Sequence, residues 1–240
     1  FVDISGGLHA SEIAGSQHTI QLAYDLLTRT DDRTRAILDN TVLLLWPSIN
    51  PDGQDIVVNW YRKNVGTPYE IAPLDELYQK YIGHDNNRDF YRNAQAESQN
   101  ISRTMYRQWY PQIMYNHHQT GPAGAVMFAP PFRDPFNYVY DPMIPTGLDF
   151  VGAAMHRRFT LEGKGGTVSR DAANYSTWWN GGLRTTAYFH NMIGILTETI
   201  GSPTPMQVPL RYERQLPAGG QVLPVQWGTW YFRQSIDYSM

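Results

Sequence analysis

A His and a Glu three residues apart, His9 and Glu12, stand where a short apolar segment gives way to a helical pattern. Phe1, Val2 and Ile4, with Leu8 at the end, read as a strand. Apolar residues at Ile13, Ala14, Ile20, Leu22, Ala23, Leu26 and Leu27 then recur with helical period, and Ser11 is the expected N-cap. The pair therefore falls at the carboxyl end of a strand, where open α/β sheets place their chemistry. An imidazole beside a carboxylate is two thirds of the two-His, one-Glu zinc set that keeps a fourth position for water; a second His from a distant strand would complete it. Alone, the pair also fits the exposed cap of a surface helix.

Two further strand ends carry reactive side chains. Residues 112–116 read as a strand running into His117-His118-Gln119, and residues 192–199 as a buried strand with a lone Glu198 near its carboxyl end. A carboxylate there is costly to bury unless it is paired with an Arg or put to use. The two His are either ordinary loop residues or the source of one metal ligand. Strand alternation puts His118 on the face of Asn116, whose amide would hold the ring from behind, and turns His117 the other way, so His118 is the candidate ligand.

The elements needed to position these groups are those of an α/β protein. Residues 41–46 form a continuous apolar run, as in the centre of a parallel sheet, so strand, helix and strand follow one another in the first fifty residues. Asn50-Pro51-Asp52-Gly53 reads as a turn, residues 56–62 as a short helix or irregular stretch, and residues 64–93 as a long polar and aromatic loop. Helices are expected over 95–110 and 147–159, with Pro- and Gly-rich connections to 145 and a loop to 182. Residues 203–224, with five prolines, resemble a linker, and 226–240 a final helix.

Composition narrows the function classes. The chain has 240 residues, 42% hydrophobic and 17% charged, with a net charge of -3 and no run of Lys or Arg, so nothing attracts nucleic acid. With no Cys there is no disulfide, thiolate metal site or Cys nucleophile. The longest apolar run, residues 42–46, is far too short to span a membrane. No Gly-x-Ser-x-Gly elbow and no His-Glu-x-x-His is present. Phe1 already lies inside a strand, which is expected of an excerpt or a processed product.

Six pieces in order then carry a resemblance. Gly7-Leu8-His9-Ala10-Ser11-Glu12 comes first, followed by Asn50-Pro51-Asp52-Gly53 and Tyr61-Arg62-Lys63. Asp85-Asn86-Asn87-Arg88-Asp89 precedes His118, and Thr197-Glu198-Thr199 closes the series. Together they resemble the zinc carboxypeptidases of the carboxypeptidase A type (the funnelins). The resemblance implies a three-layer α/β/α sandwich with a mixed, largely parallel sheet. It implies one Zn2+ held by His9, Glu12 and His118, with Glu198 as general base and Arg62 at the oxyanion. Asn87 and Arg88 would grip the substrate's C-terminal carboxylate, and Tyr175 lies at about the distance of the family's mobile Tyr, without its flanking pattern.

On this reading residues 1–201 are the catalytic domain without its first strands, leaving an open sheet edge, and 202–240 link to further parts of a longer protein. The substrate is a peptide or amide, no nucleic acid or membrane span is involved, and the location is secreted or periplasmic. A zinc amidase, deacylase or cell-wall peptide hydrolase would keep the zinc and Glu198 without needing Arg88. A catalytically silent peptide-binding module is disfavoured by the intact His9, Glu12, His118 and Glu198.

Overall fold

The computed structural model describes residues 1–218 and 220–240. Strand β1 (Val2–Ser5) leads through helices α1 (Ile13–Thr28) and α2 (Asp32–Asn40) to β2 (Leu43–Trp46). The Asp-rich stretch before β2 holds α2 because Asp31 caps it: its carboxylate accepts from the Thr34 backbone N–H at 3.1 Å and from the Thr34 hydroxyl at 2.9 Å. Asn50-Pro51-Asp52-Gly53 is likewise the first turn of a helix. Asn50 caps α3 (Pro51–Asn64) by accepting from Gly53 N–H at 2.9 Å, and Pro51 takes the first turn, where its missing N–H costs nothing.

After the long loop come α4 (Ala96–Arg103), which continues as a π-helical turn over Thr104–Trp109, and β3 (Ile113–His118). Then follow β4 (Met127–Phe132), α5 (Met143–Leu161), β5 (Thr167–Arg170), α6 (Leu183–Tyr188) and β6 (Ile193–Thr199). A two-stranded ribbon of β7 (Met206–Val208) and β8 (Gly228–Trp230) precedes α7 (Phe232–Ser239). Neither β4 nor β5 is marked by a strand pattern in the sequence. In β4 the ladder breaks between Phe128 and Phe132, where Pro130 and Pro131 have no N–H to donate, and that composition argues against a strand.

The main sheet has six strands in the order β2-β1-β3-β6-β4-β5. The first four are parallel, β4 runs antiparallel to β6, and β5 is parallel to β4. Chain order reverses about β1: β2 lies on one side and β3 on the other, so a switch-point crevice opens at the carboxyl ends of β1 and β3. In the β3–β6 ladder His118 is directly opposite Glu198. One face of β3 packs Met114 against Ile101 and Met105 of the α4 region and Leu183 and Ala187 of α6. The other face meets α1 and α7, with α5 alongside over β4 and β6. These layers form the α/β/α sandwich. β2 lies at the sheet edge, and its four apolar residues are only half-buried. No described helix is long and apolar enough to cross a membrane.

Asp3, inside β1, has one partner: its Oδ2 accepts from Trp46 Nε1 at 2.8 Å, while Oδ1 has none. Burial raises its pKa to about 7, against the opposing Trp46 hydrogen bond. Asp3 thus stays protonated in the fold while the unfolded chain ionises near 3.8. Its contribution to stability is complete below that value and is lost as pH rises through about 7, a change of roughly 4 kcal/mol at most. Asp3→Asn should therefore raise the melting temperature relative to the parent at pH 8 and much less at pH 4. A difference independent of pH would contradict a protonated Asp3.

Candidate metal centre and cleft

Two glycines at the end of β1 shape the site. Gly7 has φ +63°, a conformation that side chains disfavour, and a Cβ on Gly6 would lie 2.4 Å from the Gly15 carbonyl. Glycine here lets the first turn of α1 press against the strand end, which brings His9 and Glu12 over the crevice. Glu12, rather than Ser11, occupies the N-cap position of α1, and its carboxylate makes no capping bond. It faces the imidazoles instead: Oε1 lies 2.9 Å from His9 Nδ1 and Oε2 2.7 Å from His118 Nδ1. Gln119 serves the helix end in its place, accepting from Ala14 N–H at 2.7 Å, and its own backbone N–H donates to Glu12 Oε2 at 3.2 Å.

The donor atoms of His9, Glu12 and His118 all lie within 4.8 Å of one another. Ligands 2.0–2.1 Å from a shared tetrahedral zinc stand roughly 3.3 Å apart, so the His9–Glu12 and His118–Glu12 distances of 2.9 and 2.7 Å lie slightly below that spacing, and the whole set is within a small adjustment of it. Both Nδ1 atoms face the same space. Behind them, His9 Nε2 is 2.9 Å from Asp85 Oδ1, a carboxylate that fixes the ring, and Asn87 Nδ2 packs 3.4 Å from His118 Nε2. These residues fit zinc by donor type, orientation and support.

The electrostatics agree. Burial opposes charging His9, but its bonds to Asp85 and Glu12 prevail and raise its pKa to about 10. Burial likewise opposes ionising Glu12, yet His118 and His9 hold its carboxyl well below the usual range. Glu12 is thus held as a carboxylate between the two imidazoles, the form in which a carboxyl group ligates a metal. Glu198 is different. Burial lifts its pKa to about 7, with His118 opposing and Glu12 adding to the rise, and its Oε2 has no hydrogen-bond partner.

A cavity of about 340 Å³ opens here, walled by His9, His118 and Glu198 and by Asn87, Arg88 and Tyr175. Arg88 ends a short 3-10 turn (Asn86–Arg88) capped by Asp85, whose Oδ1 accepts from Asn87 N–H at 2.8 Å. Its guanidinium is half-exposed, sits 5.7 Å from the Trp179 ring and donates to the Asn87 carbonyl at 2.8 Å. Asn87 is anchored in turn by Leu183 N–H, which donates to its Oδ1 at 2.9 Å. Tyr175 donates from its hydroxyl to the Thr120 carbonyl at 3.1 Å.

The structure does not bring Arg62 to this cavity. Because α3 runs on to Asn64, Arg62 falls in its last turn, exposed, where a cation answers the helix's terminal carbonyls, and it lines a neighbouring groove with Ser11, Glu70 and Gln119. Asn116 does not hold His118 either; its amide donates to Ser5 Oγ at 3.1 Å and ties β3 to β1. His117 points to the opposite face, 2.8 Å from Thr197 Oγ1 and 2.9 Å from Ser239 Oγ of α7. Sequence reasoning missed two residues of the site. Asp85 stood within the quoted Asp-Asn-Asn-Arg motif and could have been found as the partner of a metal-bound His. Arg184, which also lines the cavity, lies in a stretch without a motif.

The zinc carboxypeptidase family model matches residues 2–160, which include His9, Glu12, Arg88 and His118. Among solved structures, the chain is similar to a metallo-carboxypeptidase from Pseudomonas aeruginosa in complex with (2-guanidinoethylmercapto)succinic acid. That match has 14% identity and a TM-score of 0.60, over 99% of this chain and 53% of the other. It is also similar to a metallo-carboxypeptidase from Burkholderia cenocepacia (13% identity, TM-score 0.60, 99% and 53%). A third is the carboxypeptidase A from Helicoverpa armigera (16% identity, TM-score 0.56, 87% and 54%). At these identities the likeness is one of fold, and the chain spans about half the length of each of these structures. No curated protein matches the sequence. A family match running from β1 into α5, on a sheet that gathers a zinc-fitting trio at its switch point, shows that the chain belongs to the zinc carboxypeptidase family.

Proposed function

We propose that this chain hydrolyses the last peptide bond of a peptide and releases its C-terminal amino acid, with one zinc ion held by His9, Glu12 and His118. The observation that carries this reading is that the metal-fitting trio, a carboxylate with a near-neutral pKa and an arginine all border one small cavity. Bound zinc supplies Lewis acidity, which acidifies water towards neutrality and polarises a carbonyl.

Glu198 receives the proton of the attacking water at its unpartnered Oε2 and delivers it to the leaving amine. A pKa near 7 suits both transfers, since the carboxyl gives and takes a proton with little bias. Arg88, steadied over Trp179, and the Asn87 amide bind the terminal carboxylate and so fix which bond lies beside Glu198. Tyr175 closes the side of the cavity and excludes water.

The test compares a free-acid peptide with its C-terminal amide. Amidation removes a charge-assisted contact and strands Arg88. The free acid should be cut at least ~100-fold better in kcat/KM, equivalent to ~2.7 kcal/mol, and Arg88→Ala should largely abolish that preference without changing zinc content. Equal cleavage of the two peptides by the unmutated chain would overturn the exopeptidase reading and favour an amidase or deacylase.

A further inference from the structure

Arg184 opens the first turn of α6 and is the only arginine among the described residues that is buried, at 7% exposed. Its Nη1 donates to the Tyr188 hydroxyl at 2.7 Å, its Nη2 donates to the Ser176 carbonyl, and its guanidinium carbon lies 4.0 Å from the Phe132 ring centroid. Nε makes no hydrogen bond, and no carboxylate among the described residues approaches within 4 Å to form an ion pair. These contacts hold the side chain but leave its charge uncompensated.

A guanidinium does not shed its proton, so burial cannot be relieved by neutralisation as it would be for a Lys or His. Buried charges are otherwise paired, because an isolated one loses its hydration without compensation. The side chain lines the same cavity as His118, Glu198 and Arg88. An anion entering that cavity supplies the missing partner.

We propose that Arg184 selects substrates whose C-terminal residue bears a side-chain carboxylate, Glu or Asp. This rests on the reading of the cavity as a C-terminal peptidase site. One carboxylate of the departing residue is taken by Arg88 and Asn87; a second cationic group in so small a cavity calls for a second carboxylate on the same residue. Leu196 in the cavity wall and Phe132 against the guanidinium keep the local dielectric low, which strengthens a charge pair and penalises an uncharged substitute that leaves Arg184 unmatched.

The experiment uses the zinc-loaded chain and peptides identical except for a C-terminal Glu, Gln, Leu or Arg. The Glu peptide should be cut at least ~10-fold better in kcat/KM than the Gln peptide, which has nearly the same shape, and better still than the Leu and Arg peptides. Arg184→Met keeps the length and the packing on Phe132 and should bring the Glu-to-Gln ratio close to one; if that variant does not fold, the unmutated panel decides alone. Binding of acetyl-glutamate and acetyl-glutamine to the same protein is measured by calorimetry. Turnover of all peptides without a Glu preference overturns the assignment of Arg184 and leaves the peptidase reading intact. Tighter binding of acetyl-glutamate with no turnover of any peptide supports Arg184 and overturns the peptidase reading. No preference in either turnover or binding overturns the assignment.

Discussion

Glu198→Gln should lower kcat by roughly 100- to 10,000-fold, the range for loss of a positioned proton carrier, while zinc content and peptide affinity stay close to those of the parent. The amide has the shape of the carboxylate and fills the same place opposite His118 on β6. It cannot accept a proton from water at any working pH. Because Glu198 is buried and its Oε2 has no partner, a neutral side chain is tolerated there and the fold should persist. Active-site titration with a slowly cleaved peptide separates the two effects: KM near the parent value with a collapsed kcat is the expected pattern. Activity within a few-fold of the parent would remove Glu198 from the proton transfers.

The second large effect divides the two adjacent histidines. Losing the group that hydrogen-bonds a metal-bound His from behind weakens affinity roughly 10–100-fold, so losing the ligand itself should do more; His118→Ala should bind zinc more than ~100-fold weaker than the parent. His117→Ala should keep parental zinc affinity. Its cost falls on stability instead, since it removes a buried ring joining Thr197 to Ser239 and leaves their hydroxyls without it, a loss of about 1–3 kcal/mol. Competition with a chromophoric chelator gives the affinities and thermal unfolding gives the stabilities. Zinc lost from the His117 variant and kept by the His118 variant would move the ligand by one residue.

The difference between these histidines was legible because a strand's period of two forces adjacent side chains to opposite faces. His9 and Glu12 were legible because a local spacing fixes them at a strand end, and Glu198 because a charge in an apolar strand is conspicuous. What came from local pattern alone was less secure where a longer-range partner decides the outcome. Asn116 was free to face either the ring behind it or the neighbouring strand, and Ser5 decided. Arg62 depended on where α3 stops, which the turn-like Asn-Pro-Asp-Gly concealed; as a helix cap, that motif carries the helix through Asn64. β4 was hidden by Pro130 and Pro131, tolerated because pairing to β6 is confined to Met127 and Phe128. Arg184 has no local signature at all, since its importance lies in being buried without an anion beside a cavity assembled from distant segments.

The most direct measurement is a titration of the metal-free chain with zinc, following release of the C-terminal amino acid from a free-acid peptide at each addition. No release is expected without metal, followed by a linear rise that breaks at one zinc per chain and by loss of release when a chelator is added. Release that survives chelation, or a break at any other stoichiometry, would contradict a single zinc held by His9, Glu12 and His118 as the centre of the chemistry.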